Sequence, residues 1–445
     1  MNTTLPPAAQ YVIIGAGIHG LSTAWHLAKD LIATGKGSGK DIVIIDKKGP
    51  GAGASGIACG CVRNFYMTEP LHAILRHSVD VWESDPVTLG FQQVGYISCG
   101  EANQTSEYEQ ILKSQNAVDY ASDLYVGKDA KNFLKSIWPD FKTDNIEVAL
   151  HEKPSGYAGT TQSMWGLDEH CRRLGVQRVY GTEVTGYDMT NGNIAKVHTD
   201  KGDITPEQVI ICAGAWMAKH WEWLGKADTL DVRYPDGHVE KGMDMWTFWR
   251  LLEGEVYLDE PYRTVDDRDP PVLHVELMNT EVVDENGRKF DEHFYTYVRY
   301  AAERMERPGL QGGTIPIKIG PKANLEPYGH DNDEYQADDW FPDYYCATLS
   351  MLMTRFEGLR KNFKTRRNGG IGAFTPDNVP IFDWVADNAY MIADSNHGFK
   401  MTGVGKLVSK HLITGTPVLE LEPFAFSRFS QGTTFGDRNS NCPWV

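Results

Sequence analysis

Short unbroken apolar runs sit near both ends of this chain, and alternating ones in the middle. Tyr11-Val-Ile-Ile14 is a β-branched run, followed at once by Gly15-Ala16-Gly17-Ile18-His19-Gly20 and then by Leu21, Ala24, Leu27 and Ala28. The run reads as a strand, and the later spacing places apolar residues on one face of a helix. Asp41-Ile-Val-Ile-Ile-Asp46 repeats the strand signal. Toward the other end, Ala389-Tyr-Met-Ile-Ala-Asp394 predicts a strand, Ser395 to Met401 a turn, and Thr402 to Ile413 a helix stopped by Gly415 and Pro417. In the middle, the isoleucines at 315, 317 and 319 alternate with Thr314, Pro316 and Lys318. Alternation in His293 to Tyr300 likewise places Tyr295, Tyr297 and Arg299 on one strand face.

The glycine spacing after the first strand has a physical purpose. Gly15 allows a tight turn, Gly17 lets backbone approach a pyrophosphate, and Gly20 lets helix and strand pack closely. The helix then offers phosphate its unpaired N–H groups and positive dipole end. Asp46 ends the second strand, where a carboxylate hydrogen-bonds ribose hydroxyls. Strand, turn, helix and strand together predict a dinucleotide site. Lys47 and Lys48 hint at a 2′-phosphate partner, although such a pair is more often a solvated edge. The small-residue loop from Gly49 through Ser55, Gly56, Cys59 and Cys61 to Arg63 and Tyr66 suits a path along a flat ring system that ends in one cation.

Composition narrows the partners. The 445 residues are 41% hydrophobic and carry a net charge of −17, so a surface attracting nucleic acid or anionic lipid is not expected. Seven scattered cysteines fit reduced thiols and a cytoplasmic location. The first residues lack the pattern of an export signal, no run reaches the length of a membrane span, and Asn441 to Val445 is not a peroxisomal signal. No His/Cys spacing suggests zinc. The acids at 331, 333, 334, 338 and 339 lack the glycine of a calcium loop, and Gly53-Ala-Ser55-Gly56 is not a nucleophile elbow.

Several of these segments resemble the D-amino-acid-oxidase-like flavoproteins, and within them the monomeric sarcosine oxidase branch. Ile13 to Ala24 is similar to that family's FAD signature, Val62-Arg63-Asn-Phe-Tyr66 to its substrate-arginine segment, and His397-Gly398-Phe399-Lys400-Met401 to its C-terminal flavin loop. Ile315 to Gly320 resembles the strand carrying its oxygen-activating lysine. Gly181 to Val184 and Cys212-Ala213-Gly214-Ala-Trp216 resemble the segments around adenine and pyrophosphate. The likeness fades between about Asp228 and Tyr345. Where the sarcosine oxidases carry a flavin-linking cysteine, this chain reads Gly369-Gly-Ile-Gly-Ala373, so the resemblance implies a non-covalent FAD. Cys59 or Cys61 is an alternative linkage point, with buried thiols the commoner reading.

The resemblance implies an α/β fold: a discontinuous Rossmann-like FAD-binding domain over 1–90, 150–225 and 365–445, and an antiparallel-sheet α+β substrate domain over 91–149 and 226–364. Leu89 to Cys99 and the tyrosine-rich strand suit the second. The substrate is expected between them. The implied reaction is oxidation of an amine-bearing carboxylate, a secondary, N-methyl or cyclic amino acid, to an imine, with O2 reduced to H2O2. Arg63 and Lys400 are expected to hold the carboxylate and Tyr295 and Tyr297 the amine, with Lys318 beside the flavin as the charge that assists oxygen. From pattern alone, Lys318 is a solvated lysine on an outer face. Trp246 and Trp249 read equally as core, lid or substrate platform. The competing readings are a dehydrogenase of the same fold, a ring monooxygenase and a non-catalytic flavin-binding subunit.

Overall fold

The computed structural model describes residues 4–301, 305, 307–329, 331–336, 339–364, 369–394 and 397–435. Asp338, Ser395, Asn396 and the C-terminal Asn441 to Val445, with Cys442, lie outside the described residues.

Ala8–Ile14 is central in an eight-stranded sheet, flanked in parallel by Gly202–Ile211 and Ile42–Asp46. Gln177–Tyr180 continues the sheet beyond Ile42–Asp46, and Ala389–Ala393 beyond Gly202–Ile211, again in parallel. Two antiparallel additions, Val184–Thr190 with Asn193–Thr199 and Ile381–Ala386, complete it. The runs are apolar without interruption because both faces of the sheet are covered. Ile13, Ile44 and Ile210 join one core with the helices Ile18–Thr34 and Gly403–Thr414. Val12, Val43, Val209 and Ile211 face the opposite core. The two helices pack so closely that a Cβ at Gly405 would meet the Ser22 carbonyl carbon at 2.6 Å. Gly415, in left-handed backbone with φ 64°, ends the second helix as its position predicted.

A second sheet has seven strands, in the order Glu253–Tyr257, Gly309–Gly313, Phe294–Tyr300, Val272–Leu277, Tyr96–Gly100, Val148–Glu152 and Ser122–Val126. All neighbours are antiparallel except Val272–Leu277 and Tyr96–Gly100, which pair in parallel. The boundary drawn at 149/150 therefore cuts a strand of this sheet. One sheet face packs with helix Trp340–Leu352, through Val275, Val298 and Tyr345 among others. From the other, Tyr96, Val272 and Tyr295 join a core with Cys59, Cys61 and Phe65 of the small-residue loop. That second contact sets the tyrosine-rich strand against the loop running from the nucleotide turn. Among the described residues, no helix is long and apolar enough to cross a membrane.

Candidate active site

The nucleotide turn depends on two close approaches. Gly15 has φ 104°, and a Cβ there would lie 2.4 Å from the Cys212 carbonyl oxygen. At Gly20 it would lie 1.9 Å from the Gly15 carbonyl oxygen, which explains why this helical position carries no side chain. Asp46 organises the loop as well as ending its strand. Its Oδ2 accepts from the Ala16 N–H at 2.8 Å, and its Oδ1 from the N–H groups of Lys48 and Gly49 at 2.7 Å each. Ser55 Oγ accepts from the Ile18 N–H at 3.1 Å, tying the small-residue loop to the start of the helix. Lys47 pairs with Glu326 and lies 3.7 Å from the centroid of the Trp216 ring. The Trp216 indole donates to the same carboxylate at 2.8 Å. Burial works against the charge of Glu326, but these two donors hold its carboxyl below the usual range.

Gly15, Gly17, Ile18, His19, Asp46, Lys47, Ser55, Val184, Ala213 and Gly214 line part of a continuous cleft. Gly398, Phe399, Lys400, Arg63, Tyr295 and Tyr297 line its continuation. Ala16, Gly20, Gly56 and His397 stand behind the lining. Gly56 is a packing glycine, its Cβ position 2.1 Å from the Gly51 carbonyl oxygen. These residues fit a dinucleotide. The helix begins at Gly17 without a side-chain cap, Gly214 leaves open space where a Cβ would stand, and the buried His19 Nδ1 has no partner.

A buried carboxylate joins two histidines beside the cleft. Asp394 lies 2.8 Å from His19 Nε2 and 2.9 Å from His397 Nδ1, and also accepts from the His397 N–H at 3.0 Å. Burial opposes its charge, yet His397 beside it and the hydrogen bonds to both histidines hold the carboxyl well below the usual range. Burial pushes His397 down. The carboxylate after the last strand is thus tied to the first helix.

At the far end, the buried Arg63 guanidinium lies 4.4 Å from the Tyr66 ring centroid and 5.7 Å from that of Tyr96, and donates to the Phe65 carbonyl. Lys400 is half-buried beside it. Desolvation, then the Arg63 charge, lower its ammonium below the ordinary lysine range. Two cations lining one cleft favour an anionic guest. The Tyr297 hydroxyl donates to Glu253 Oε1 at 3.2 Å, and burial with that carboxylate nearby keeps the phenol neutral, pushed well above its usual range. Arg299 shares this strand face but lies a layer deeper, fully buried, 2.6 Å from the Cys59 carbonyl and 4.4 Å from the Tyr157 ring centroid. Behind Arg63, the buried Glu152 accepts from the Asn64 N–H at 2.8 Å and from Ser155 and Gln115 at 2.6 Å each. Burial raises its carboxyl to about 6, against the pull of these donors and of Arg63.

Lys318 stands elsewhere. Its strand, Ile317–Gly320, is the edge of a three-stranded sheet, so alternation sends the lysine out to solvent while Ile317 and Ile319 are half-buried. Its Nζ lies 5.9 Å from the Trp249 ring centroid, and neither residue lines the cleft. Trp246 is core, edge-on to Trp221 at 5.8 Å. Gly370 lines the cleft within the segment that lacks a linking cysteine. Sequence reasoning missed Glu253, Tyr96 and Asp394 as lining residues. Asp394 had a readable signal, because it ends a strand before a dinucleotide-style turn as Asp46 does. Glu253 and Tyr96 had none, since only sheet pairing brings them to the cleft.

The chain matches the family described as "DAO: FAD dependent oxidoreductase" over residues 10–411, and it belongs to that family, whose cofactor is FAD. It is 22% identical to the mitochondrial pyruvate dehydrogenase phosphatase regulatory subunit of Mus musculus, over 98% of this chain and 45% of that protein. Identity to the mitochondrial dimethylglycine dehydrogenase of Rattus norvegicus is 24%, over 96% and 45%. The sarcosine oxidase subunit beta of Rhodobacter capsulatus is 25% identical over 43% of this chain and 46% of that protein. The chain spans about half the length of these curated relatives. Among solved structures, L-proline dehydrogenase from P. horikoshii superposes with a TM-score of 0.74 at 20% identity, covering 96% of this chain and 99% of that one. Glycine oxidase from Geobacillus kaustophilus gives 0.67 at 15%, covering 95% and 99%. The family resemblance, the fold class and the FAD cofactor drawn from the sequence all hold.

Proposed function

We propose that this protein oxidises the carbon–nitrogen bond of an amine-bearing carboxylate, a secondary, N-methyl or cyclic amino acid, to an imine that water hydrolyses. The observation that supports this most is the pair of cations, Arg63 and Lys400, lining the same cleft as the residues of the nucleotide turn. FAD, when bound, supplies the hydride acceptor. Gly15, Gly17, Asp46, Ser55, Val184 and Gly214 are the residues that would hold its nucleotide part, and Gly398 and Phe399 those beside its ring. Arg63 presents a planar fork to the substrate carboxylate and Lys400 a point charge. Tyr295 and Tyr297 offer aromatic surface to the amine. The same cations disfavour a protonated amine, which leaves the nitrogen lone pair available to drive loss of hydride. The split into an FAD-binding part and a covering part belongs to this proposal, as does a cytoplasmic setting, which six buried free thiols among the described residues support.

The acceptor of the second half-reaction has two readings. The likeness of the strand around Lys318 supports oxygen, with peroxide as product. The exposed position of that lysine favours a dehydrogenase that passes electrons elsewhere, and two of the similar proteins are named dehydrogenases. An anaerobic absorbance titration with N-methyl, cyclic and D-amino acids tests the proposal. Bleaching of the flavin band by one class supports it, and slow recovery in air with fast recovery on an artificial acceptor selects the dehydrogenase. A flavin that no amine bleaches refutes it in favour of a non-catalytic subunit.

A further inference from the structure

Cys59 and Cys61 line the cleft, are buried and carry no disulfide, and the reaction above does not use them. Their sulfurs lie 3.6 Å apart. Gly60 between them has φ 74°, a left-handed turn, and a Cβ there would come within 2.2 Å of the Ala158 carbonyl oxygen. The backbone of Cys59 is clamped from both sides. Its N–H donates to Glu253 Oε1 at 3.0 Å and its carbonyl accepts from Arg299 Nε at 2.6 Å. The side chains are therefore the parts left to move.

The two thiols differ in character. The hydrogen bond to Cys59 lowers Cys61 below the usual thiol range, with Lys400 and Arg299 assisting, whereas burial pushes Cys59 well above it. A nucleophilic sulfur in a positive surrounding, with a second thiol in reach, is the arrangement of an oxidisable cysteine and its resolving partner.

We propose that Cys59-Gly60-Cys61 is a peroxide-oxidisable dithiol, a modification site inside the cleft that closes to an intramolecular disulfide. The Cys61 thiolate attacks a hydroperoxide and the O–O bond breaks. One oxygen stays on sulfur as a sulfenic acid, and the other leaves as water once protonated. The Cys59 sulfur then attacks the sulfenic sulfur, the S–S bond forms, and the S–O bond breaks to release a second water. Two thiols and one hydrogen peroxide become one disulfide and two waters, with two electrons passing from sulfur to peroxide. Closure brings the sulfurs from 3.6 Å to about 2.05 Å and removes the Cys61 thiolate.

Trypsin cuts after Lys48 and Arg63, so both thiols fall on one peptide, 49–63, that holds no other cysteine. The holoenzyme is treated with hydrogen peroxide, remaining thiols are blocked with iodoacetamide, and the unreduced peptide is weighed. The expected peptide is lighter than the thiol form by about 2 Da and carries no alkyl group. In Cys59→Ser, Cys61 should instead accumulate a sulfenic acid that dimedone captures. A wild-type peptide that stays alkylatable, one that gains oxygen without losing hydrogen, or dimedone capture on Cys59 in Cys61→Ser and not on Cys61 in Cys59→Ser, each overturns the proposal.

Discussion

Glu152 makes the stability of this protein depend on pH in a sense opposite to that of most carboxylates. It is fully buried behind Arg63, and its carboxyl is raised from 4.5 to about 6, mainly by burial. A carboxyl raised on folding binds its proton more tightly in the native chain than in the unfolded one. Its contribution is therefore complete below about pH 4.5 and is lost as pH rises through about 6. At about 1.36 kcal/mol for each pKa unit, the loss is about 2 kcal/mol. Glu152→Gln removes the titration while keeping the shape, and Gln115, whose Oε1 has no partner, offers an acceptor to the new amide. Urea unfolding of both proteins, followed by intrinsic fluorescence from about pH 4.5 to about pH 7.5, isolates the effect as a difference between the curves. Relative to the variant, the wild type should lose about 2 kcal/mol across that window, most of it between about pH 4.5 and 6. Other titrating groups cancel in the difference. A difference that stays level with pH, or rises, would refute the burial argument.

Arg63→Lys keeps the charge and loses the fork, so a carboxylate ligand should bind more weakly by about 1.5–3 kcal/mol, roughly 10- to 150-fold, in anaerobic flavin-difference titrations. Gly20→Ala forces a Cβ to 1.9 Å from the Gly15 carbonyl oxygen, and the strain of about 1–3 kcal/mol should appear as a lower ratio of bound FAD to protein after gel filtration. Arg428→Met strips the partner from Asp377, a pair buried on both sides with contacts of 2.8 and 2.9 Å, and should lower unfolding free energy by about 3–5 kcal/mol. Lys318→Met should change flavin reoxidation by O2 about twofold or less in stopped flow, as a surface substitution does. A fall on the order of tenfold would return that lysine to the reacting atoms.

The ends of the chain were legible because their signals are local. A strand, a glycine turn and a helix adjoin in sequence, and the steric need at Gly15 and Gly20 is met by residues within a few positions or by the neighbouring strand. The same holds for Gly415 and the second helix. The cleft's far wall was readable only in part. Tyr295 and Tyr297 could be placed on one face by alternation, yet alternation does not say which face looks at a cofactor, and it gave Arg299 the same standing although that residue lies a layer deeper. Glu253 reaches the cleft because its strand pairs with Gly309–Gly313 at the sheet edge, a contact of long sequence separation with no local signature.

Lys318 shows how pattern and likeness can point in different directions. Its alternation with Ile317 and Ile319 said only that one face is apolar and the other is not, and the lysine's exposure agrees with that reading. The likeness to an oxygen-activating strand assigned the residue a partner that no neighbour in the sequence supplies. Arg63 and Lys400 differ from it in one physical respect. Each is bracketed by apolar neighbours, Val62 with Phe65 and Tyr66 in one case and Phe399 and Met401 in the other, which bury in the core and bring the cations with them. A charge carried on a segment that must bury is forced to find a site. One carried on an edge strand is not, and its function has to be established by the rate it changes.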